Sequence, residues 1–241
     1  MIDVKILTAY PEMFPGSLNH SLMGKALKEN IFKIDTINLH DFGIDNRNSI
    51  DDEPFGGGPG MILRPDVVEK ALLSISNKNH LNTTKIYLTP SGTLLNQRKL
   101  GILSKLDEII ILCGRFEGID QRAIDILGFE EVSIGDYVLA GGEIAAQVLL
   151  EGCIRLIPGV LGHPESLLEE SFSNNLLEYP HYTRPQVWED SQGNKHDVPE
   201  VLISGHHDNI KKWRKNKSVE KTKKVRTDLL VKREKSRIKY E

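Results

Sequence analysis

Apolar residues recur along this chain in short blocks separated by polar segments. Ile2–Thr8 alternates apolar and polar positions and predicts a strand. Phe32–Leu39 predicts a second, and Lys85–Thr89 a third that closes on the turn Pro90-Ser91-Gly92. Two further runs, Ile109–Cys113 and Val132–Ile134, are apolar almost throughout, the signature of strands covered on both faces. Helical spacing lies between these blocks. Leu18, Leu22, Ala26 and Leu27 share one face of Ser17–Lys28, and Val67, Val68, Ala71, Leu72 and Ile75 follow Pro65, which sits as an N1 proline. Asn96–Lys105, a short helix between the two apolar runs, and a helix from Glu143 to Cys153 complete the series. Strands alternating with helices predict an α/β fold with a mostly parallel sheet and helical crossovers.

This rhythm stops near Gly162. Residues 163–184 are polar with few periodic apolar positions, and predict a flexible linker between a first domain, 1–162, and a second, 185–241. In the second domain Pro199–Ile203, Asn209–Lys217 and Lys221–Tyr240 predict helices, the last using Val225, Leu229, Leu230 and Val231 for packing. No strand pattern remains, so a small all-α C-terminal domain is expected. Trp213 and Tyr240 are expected as its core anchors rather than as platforms for stacked bases.

Charge sharpens this division. The net charge is −3, yet residues 206–241 hold 14 Lys/Arg against 5 Asp/Glu, and residues 1–205 hold 17 against 29. A basic end on an acidic body predicts a polyanionic partner for that end. With 39% apolar and 27% charged residues the composition is that of a globular protein, and no run approaches the ~20 apolar residues of a membrane span. The only cysteines, Cys113 and Cys153, lack CxxC spacing, which fits a reducing cytoplasm and argues against a disulfide or thiolate metal site. Cys113 ends an apolar run and reads as buried filler. His181, His196, His206 and His207 are scattered and form no metal-ligand pattern, and Asp41-Phe42-Gly43 has the spelling of a kinase element without the other kinase motifs.

Two glycine clusters are candidates for a ligand loop. Gly56-Gly57-Gly58-Pro59-Gly60 contains the spelling GxGxG. However, Asp51-Asp52-Glu53-Pro54 before it is not a buried strand, and Pro59 removes an N–H from any anion cradle. The cluster reads instead as a loop that lets a large substrate approach the backbone. The second cluster spans Asp107–Glu143, where both apolar runs break into glycine-bearing loops, Gly114-Arg115-Phe116-Glu117-Gly118 and Gly135–Gly142. Ligands of open α/β sheets sit at such strand ends. With Tyr87, Leu88, Thr89 and Pro90, three strand ends can converge there, where backbone groups can bond an adenine edge between apolar side chains.

At this point the chain resembles a known family, the bacterial tRNA (guanine-N1-)-methyltransferases of the TrmD type. The motifs are Gly56-Gly-Gly-Pro-Gly-Met61, Leu112–Asp120, Ser133–Glu143, Ile157–Gly162 and Pro180–Pro185, in the family's order over nearly the whole chain. The resemblance implies the SPOUT fold with a deep trefoil knot, S-adenosylmethionine as methyl donor, a homodimer with an active site shared between subunits, and methylation of guanosine 37 of tRNA, beside the anticodon. General topology rules disfavour knots, so no spacing argument leads to this one.

By the same resemblance the cofactor site comprises Tyr87, Leu88, Thr89, Pro90, Gly114, Arg115, Glu117, Gly118, Ile134, Gly135, Asp136, Tyr137, Val138, Leu139, Gly141 and Gly142. Arg115 is expected at a phosphate or the cofactor, and Glu117 at ribose. The catalytic base is an aspartate in the family; here Glu170 stands at the matching position, one methylene longer, with Glu169 beside it as the alternative. Arg155 matches an arginine that contacts the substrate guanine, and Arg184 is expected to orient the linker. Ala145 stands where the family often has proline. Magnesium is a family requirement, without a ligand cage visible in the sequence. The competing readings are a related enzyme acting on ribose 2′-OH or another base, and an RNA-binding protein without activity.

Overall fold

The computed structural model describes residues 1–75, 82–162 and 169–231. The chain divides into two compact units, Met1–Gly162 and His163–Glu241. In the first, the strands are β1 (Ile2–Thr8), β2 (Phe32–Asn38), β3 (Asp51–Asp52), β4 (Ile62–Leu63), β5 (Thr83–Leu94), β6 (Glu108–Cys113) and β7 (Glu130–Ser133). The helices are α1 (Ser21–Lys28), α2 (Pro65–Leu73), α3 (Gln97–Leu103), α4 (Gln121–Leu127) and α5 (Gly142–Ile154). Five strands form one sheet in the order β2-β1-β6-β5-β7, and every pairing in it is parallel.

The alternation of β6 explains the layers. Ile109, Ile111 and Cys113 enter a core with Leu103 of α3 and Ala145, Ala146, Leu149 and Leu150 of α5. Ile110 and Leu112 enter the opposite core with Val67, Val68 and Ala71 of α2 and Ala123 and Ile124 of α4. Both faces are covered, so β6 is buried from end to end and reads as an unbroken apolar run. Helix starts follow local chemistry: Pro65 opens α2, the Asn96 side chain accepts from Lys99 N at 3.0 Å before α3, and Asp120 accepts from Arg122 N at 3.0 Å before α4.

Local differences from the sequence expectation have physical causes. Ser17–Lys28 is a 3-10 turn, Gly16–Asn19, followed by α1, because the chain folds back so closely that a Cβ on Gly24 would lie 2.2 Å from Asn19 O. The turn at Pro90-Ser91-Gly92 is instead a bulge inside the 12-residue β5, whose register against β7 shifts between Leu88 and Thr93. Pro90 has no N–H for the ladder, and Gly92 lies so near the β7 backbone that a Cβ there would be 2.4 Å from Val132 N. The two-residue strands β3 and β4 pair antiparallel at the foot of the Gly56–Gly60 loop.

The second unit contains β8 (Val187–Glu189), β9 (Lys195–Asp197), α6 (Glu200–Ile203) and α7 (His207–Val225). The expectation of an all-α domain is corrected here, because β8 and β9 form an antiparallel hairpin. Its turn is built by Asp190, whose carboxylate accepts from Gln192 N and Asn194 N, each at 2.9 Å, with Gly193 at φ +83°. These bonds hold the Asp190 carboxyl down at about 2, the His196 imidazole contributing first. Strands of three residues, exposed throughout, are too short to carry a period-2 apolar signal. The helices expected at Asn209–Lys217 and from Lys221 are one continuous α7, which breaks at Arg226 before a last described turn, 227–231. Leu229 is buried there, whereas Val225 and Val231 are exposed. The remainder of that predicted helix, including Tyr240, lies outside the described residues. Trp213 is half-buried, its ring 6.2 Å from that of Tyr182.

Candidate active site

The stretch of β5 that leads into its bulge and the ends of β6 and β7 enclose one cavity of about 260 Å³. Its wall comes from residues 87–90, 114–118, 132–135 and 137–142, together with Ala145 at the start of α5. Backbone approach makes the enclosure possible. Gly142 N donates to Gly114 O at 2.9 Å, joining the start of α5 to the end of β6, and a Cβ on Gly142 would lie 2.9 Å from Cys113 Cα. Ser133 Oγ donates to Gly135 O at 3.0 Å and holds the turn out of β7. Glu117 N donates to Met61 O at 2.9 Å and Leu63 N to Gly118 O at 2.9 Å, tying the 114–118 loop to the glycine loop upstream. Gly60 belongs to that loop because its φ is +87° and a Cβ there would meet the Glu117 side chain at 2.3 Å.

Of the sequence-expected cofactor residues, Tyr87, Leu88, Thr89, Pro90, Gly114, Arg115, Glu117, Gly118, Ile134, Gly135, Tyr137, Val138, Leu139, Gly141 and Gly142 share this one cavity wall. Asp136 is not on it. Phe116, Val132, Ser133 and Ala140 are on the wall beyond the residues expected at the cofactor, as is Ala145, noted in the sequence only as a departure from the family's proline. Val132 and Ser133 lie inside the strand rather than in its glycine loop, and only the closure of the three strands shows that they face the cavity. Burial pushes the Tyr87 hydroxyl above its ordinary value. Burial likewise pushes Cys113 well up and Cys153 to about 12, so both are inert apolar filler at neutral pH.

Arg115, expected at a phosphate or the cofactor, has partners of its own within the chain. It lines the cavity, yet its guanidinium turns into the protein. Cζ lies 4.3 Å from the Tyr10 ring centroid, Nη2 is 2.9 Å from Glu143 Oε2 and 3.4 Å from Met13 Sδ, and Nη1 donates to Ala140 O at 3.4 Å. Glu143 is 0% exposed, and its other oxygen accepts from Thr8 Oγ1 at 2.8 Å.

The two expected catalytic residues stand in different units. Arg155 is the C-cap of α5 in the first. Glu170 lies in the second, half-buried, in a tight turn where Ser173 N donates to Glu170 O at 3.1 Å. The expected linker begins in 163–168, outside the described residues. From Glu169 onward it is bonded to α7. Leu177 N donates to Thr222 Oγ1 at 2.9 Å, and Arg214 Nη1 donates to Glu169 Oε2 at 3.3 Å. Tyr179 OH donates to Glu169 Oε2 at 2.7 Å, and burial together with this bond pushes the hydroxyl to about 12. Glu169 is thus committed to Tyr179 and Arg214. The exposed face of α7 carries Lys211, Lys212, Lys215, Lys221, Lys223 and Lys224. Among the described residues, no group of three or more His, Cys, Asp or Glu is arranged to hold a metal ion, and no helix is long and apolar enough to cross a membrane.

Comparison with known proteins places the chain beside one family. The profile of the tRNA (Guanine-1)-methyltransferase TrmD family matches residues 2–232. A protein of Wolbachia pipientis (strain wPip) named tRNA (guanine-N(1)-)-methyltransferase is 50% identical over 230 residues, 95% of this chain and 97% of the relative. Proteins of the same name from Rhodospirillum rubrum and Agrobacterium fabrum are 49% and 48% identical over 225 and 227 residues. The first covers 93% of this chain and 90% of the relative, the second 94% and 95%.

Proposed function

The chain belongs to the tRNA (guanine-1)-methyltransferase family of the TrmD type, and from that premise we propose that it methylates N1 of guanosine 37 in tRNA with S-adenosylmethionine as donor. The observation that carries the reading is the closure of the two motif-bearing loops after β6 and β7, with residues 87–90 of β5, around one cavity. Its chemistry fits an adenosyl group. Leu88, Val132, Ile134, Leu139 and Ala145 offer apolar walls for a ring, the strand-end backbone offers donors and acceptors for its edge, and Glu117 offers a carboxylate for ribose hydroxyls. When bound, the cofactor supplies an electrophilic methyl on a sulfonium. The chain's own task is then to hold the guanine and remove its proton.

Guanine N1 carries a proton and is a poor nucleophile until it is lost. Glu170 is the base in this reading, by its place in the family's motif. Its alternative, Glu169, accepts from Tyr179 OH at 2.7 Å and Arg214 Nη1 at 3.3 Å; either carboxylate can take the proton in this reading, and the family's motif selects Glu170. Arg155 faces the negative charge that builds on O6 as the proton leaves; a guanidinium suits that edge by its fork geometry. The lysines of α7 grip tRNA phosphates, and binding falls steeply with salt. Family membership further supports the SPOUT knot, formed where α5 passes back against the β6 loop, and a homodimer whose subunits complete each other's site. The described residues do not form a dedicated cage for the family's magnesium ion.

The test is incubation of the full chain with methyl-labelled S-adenosylmethionine and unmodified tRNA, followed by nucleoside analysis. Label in 1-methylguanosine is expected. Label in a ribose-methylated nucleoside, or in none, sinks the reading.

A further inference from the structure

Behind the cavity lies a charged pair that the chemistry above does not use. Glu143 is fully buried, and it sits between Gly142 and Ala145, both on the cavity wall. Its Oε1 accepts from Thr8 Oγ1 at 2.8 Å, while its Oε2 lies 2.9 Å from Arg115 Nη2. Oε2 and Arg115 Nε are nevertheless both buried without a hydrogen bond, so the attraction across the pair is Coulombic rather than a well-directed bond. Such a pair is a poor device for stability alone, since a neutral pair of similar shape usually serves as well. Its cation, unlike its anion, belongs to the cavity wall. Tyr10 and Met13 beside the guanidinium carry no charge to offset it.

We infer that Glu143 is a charge-balancing residue: it cancels the Arg115 guanidinium so that the cavity accepts a cationic sulfonium as readily as its neutral thioether product. This rests on the cofactor reading above and extends it. S-adenosylmethionine and S-adenosylhomocysteine share the adenosine, amino and carboxylate groups, and differ by the methyl and the positive charge it places on sulfur. An unbalanced cation in the wall therefore penalises the donor and leaves the product's affinity comparatively untouched. A purely structural role changes both affinities together.

The experiment measures the two dissociation constants by calorimetry on the full chain. Glu143→Gln keeps the shape and the Thr8 bond and removes the charge. It is expected to raise the donor-to-product ratio of dissociation constants about tenfold, the effect of one unit charge about 12 Å away at an effective dielectric of about 20. Arg115→Met/Glu143→Gln removes both charges and is expected to return the ratio to that of the unaltered chain. An unmoved ratio in Glu143→Gln overturns the proposal, whatever happens to the individual affinities. So does a ratio that stays raised in the double variant. Should Glu143→Gln fail to fold, Arg115→Met leaves the anion uncompensated and must shift the ratio the other way; an unmoved ratio there overturns the proposal as well. An unaltered chain that binds neither compound overturns the cofactor reading itself, and is distinguished by failing before any variant is made.

Discussion

The two units of this protein hold their functional residues in opposite ways. In Met1–Gly162 the cavity lies at a sheet held between two apolar cores, and its wall closes through glycine-bearing loops where backbone packs on backbone. In His163–Glu241 the functional groups are side chains on a thin polar surface, held by individual hydrogen bonds to one basic helix. The first arrangement tolerates changes of side chain and is sensitive to any atom added where the backbone closes. The second is sensitive to the loss of single polar groups. In the proposed reading, binding the methyl donor and removing the substrate proton fall to different units, so that each can be disturbed without the other.

The largest break of this contrast is expected at Glu170. Glu170→Gln keeps the shape and removes the base, so single-turnover methylation at saturating cofactor should fall by about 10²–10⁴-fold, the usual contribution of a positioned general base. Next comes the backbone closure of the first unit. Gly142→Val drives a side chain into Cys113 Cα and Gly114 N, and overpacking there should cost about 1–3 kcal/mol and raise the donor dissociation constant at least ~tenfold. A smaller effect is expected at Thr222, which accepts from Leu177 N and donates to Ser218 O. Thr222→Val should destabilise the second unit by about 1 kcal/mol and slow methylation several-fold, read by chemical denaturation and single turnover, with donor binding unchanged.

The smallest effect is one of pH and confined to the β8–β9 hairpin. Asp190 titrates at about 2 in the folded chain, below its ordinary value. A lowered carboxyl stabilises the fold above its unfolded pKa of about 3.9 and loses that contribution as pH falls from there toward 2. Amide resonances of Gln192 and Asn194 should report the hairpin opening in that window, and Asp190→Asn should remove the transition. An identical transition in the variant would assign it to other groups.

The same contrast explains what could be read from the sequence. β6 was legible because burial on both faces leaves a long apolar run, β1 because apolar and polar positions alternate along it, and α2 because Pro65 marks its start. The cavity was legible as glycines interrupting apolar runs. The β5 bulge was not, because Pro90-Ser91-Gly92 spells a turn and only pairing with β7 makes it part of a strand. The inward Arg115 was not, because its partner Glu143 and that residue's partner Thr8 are joined across 135 residues of chain. In the second unit the hairpin and the seating of residues 169–179 on α7 rest on isolated polar contacts, which leave no periodic trace.

Division of labour between the units is tested most directly by the donor dissociation constant of Glu170→Gln, measured by calorimetry on the full chain. The predicted value equals that of the unaltered protein, because the residues that line the cavity, between Tyr87 and Ala145, belong to the first unit and Glu170 to the second. Donor binding weakened tenfold or more in a variant that keeps its fold would place Glu170 in the cofactor site and contradict the account.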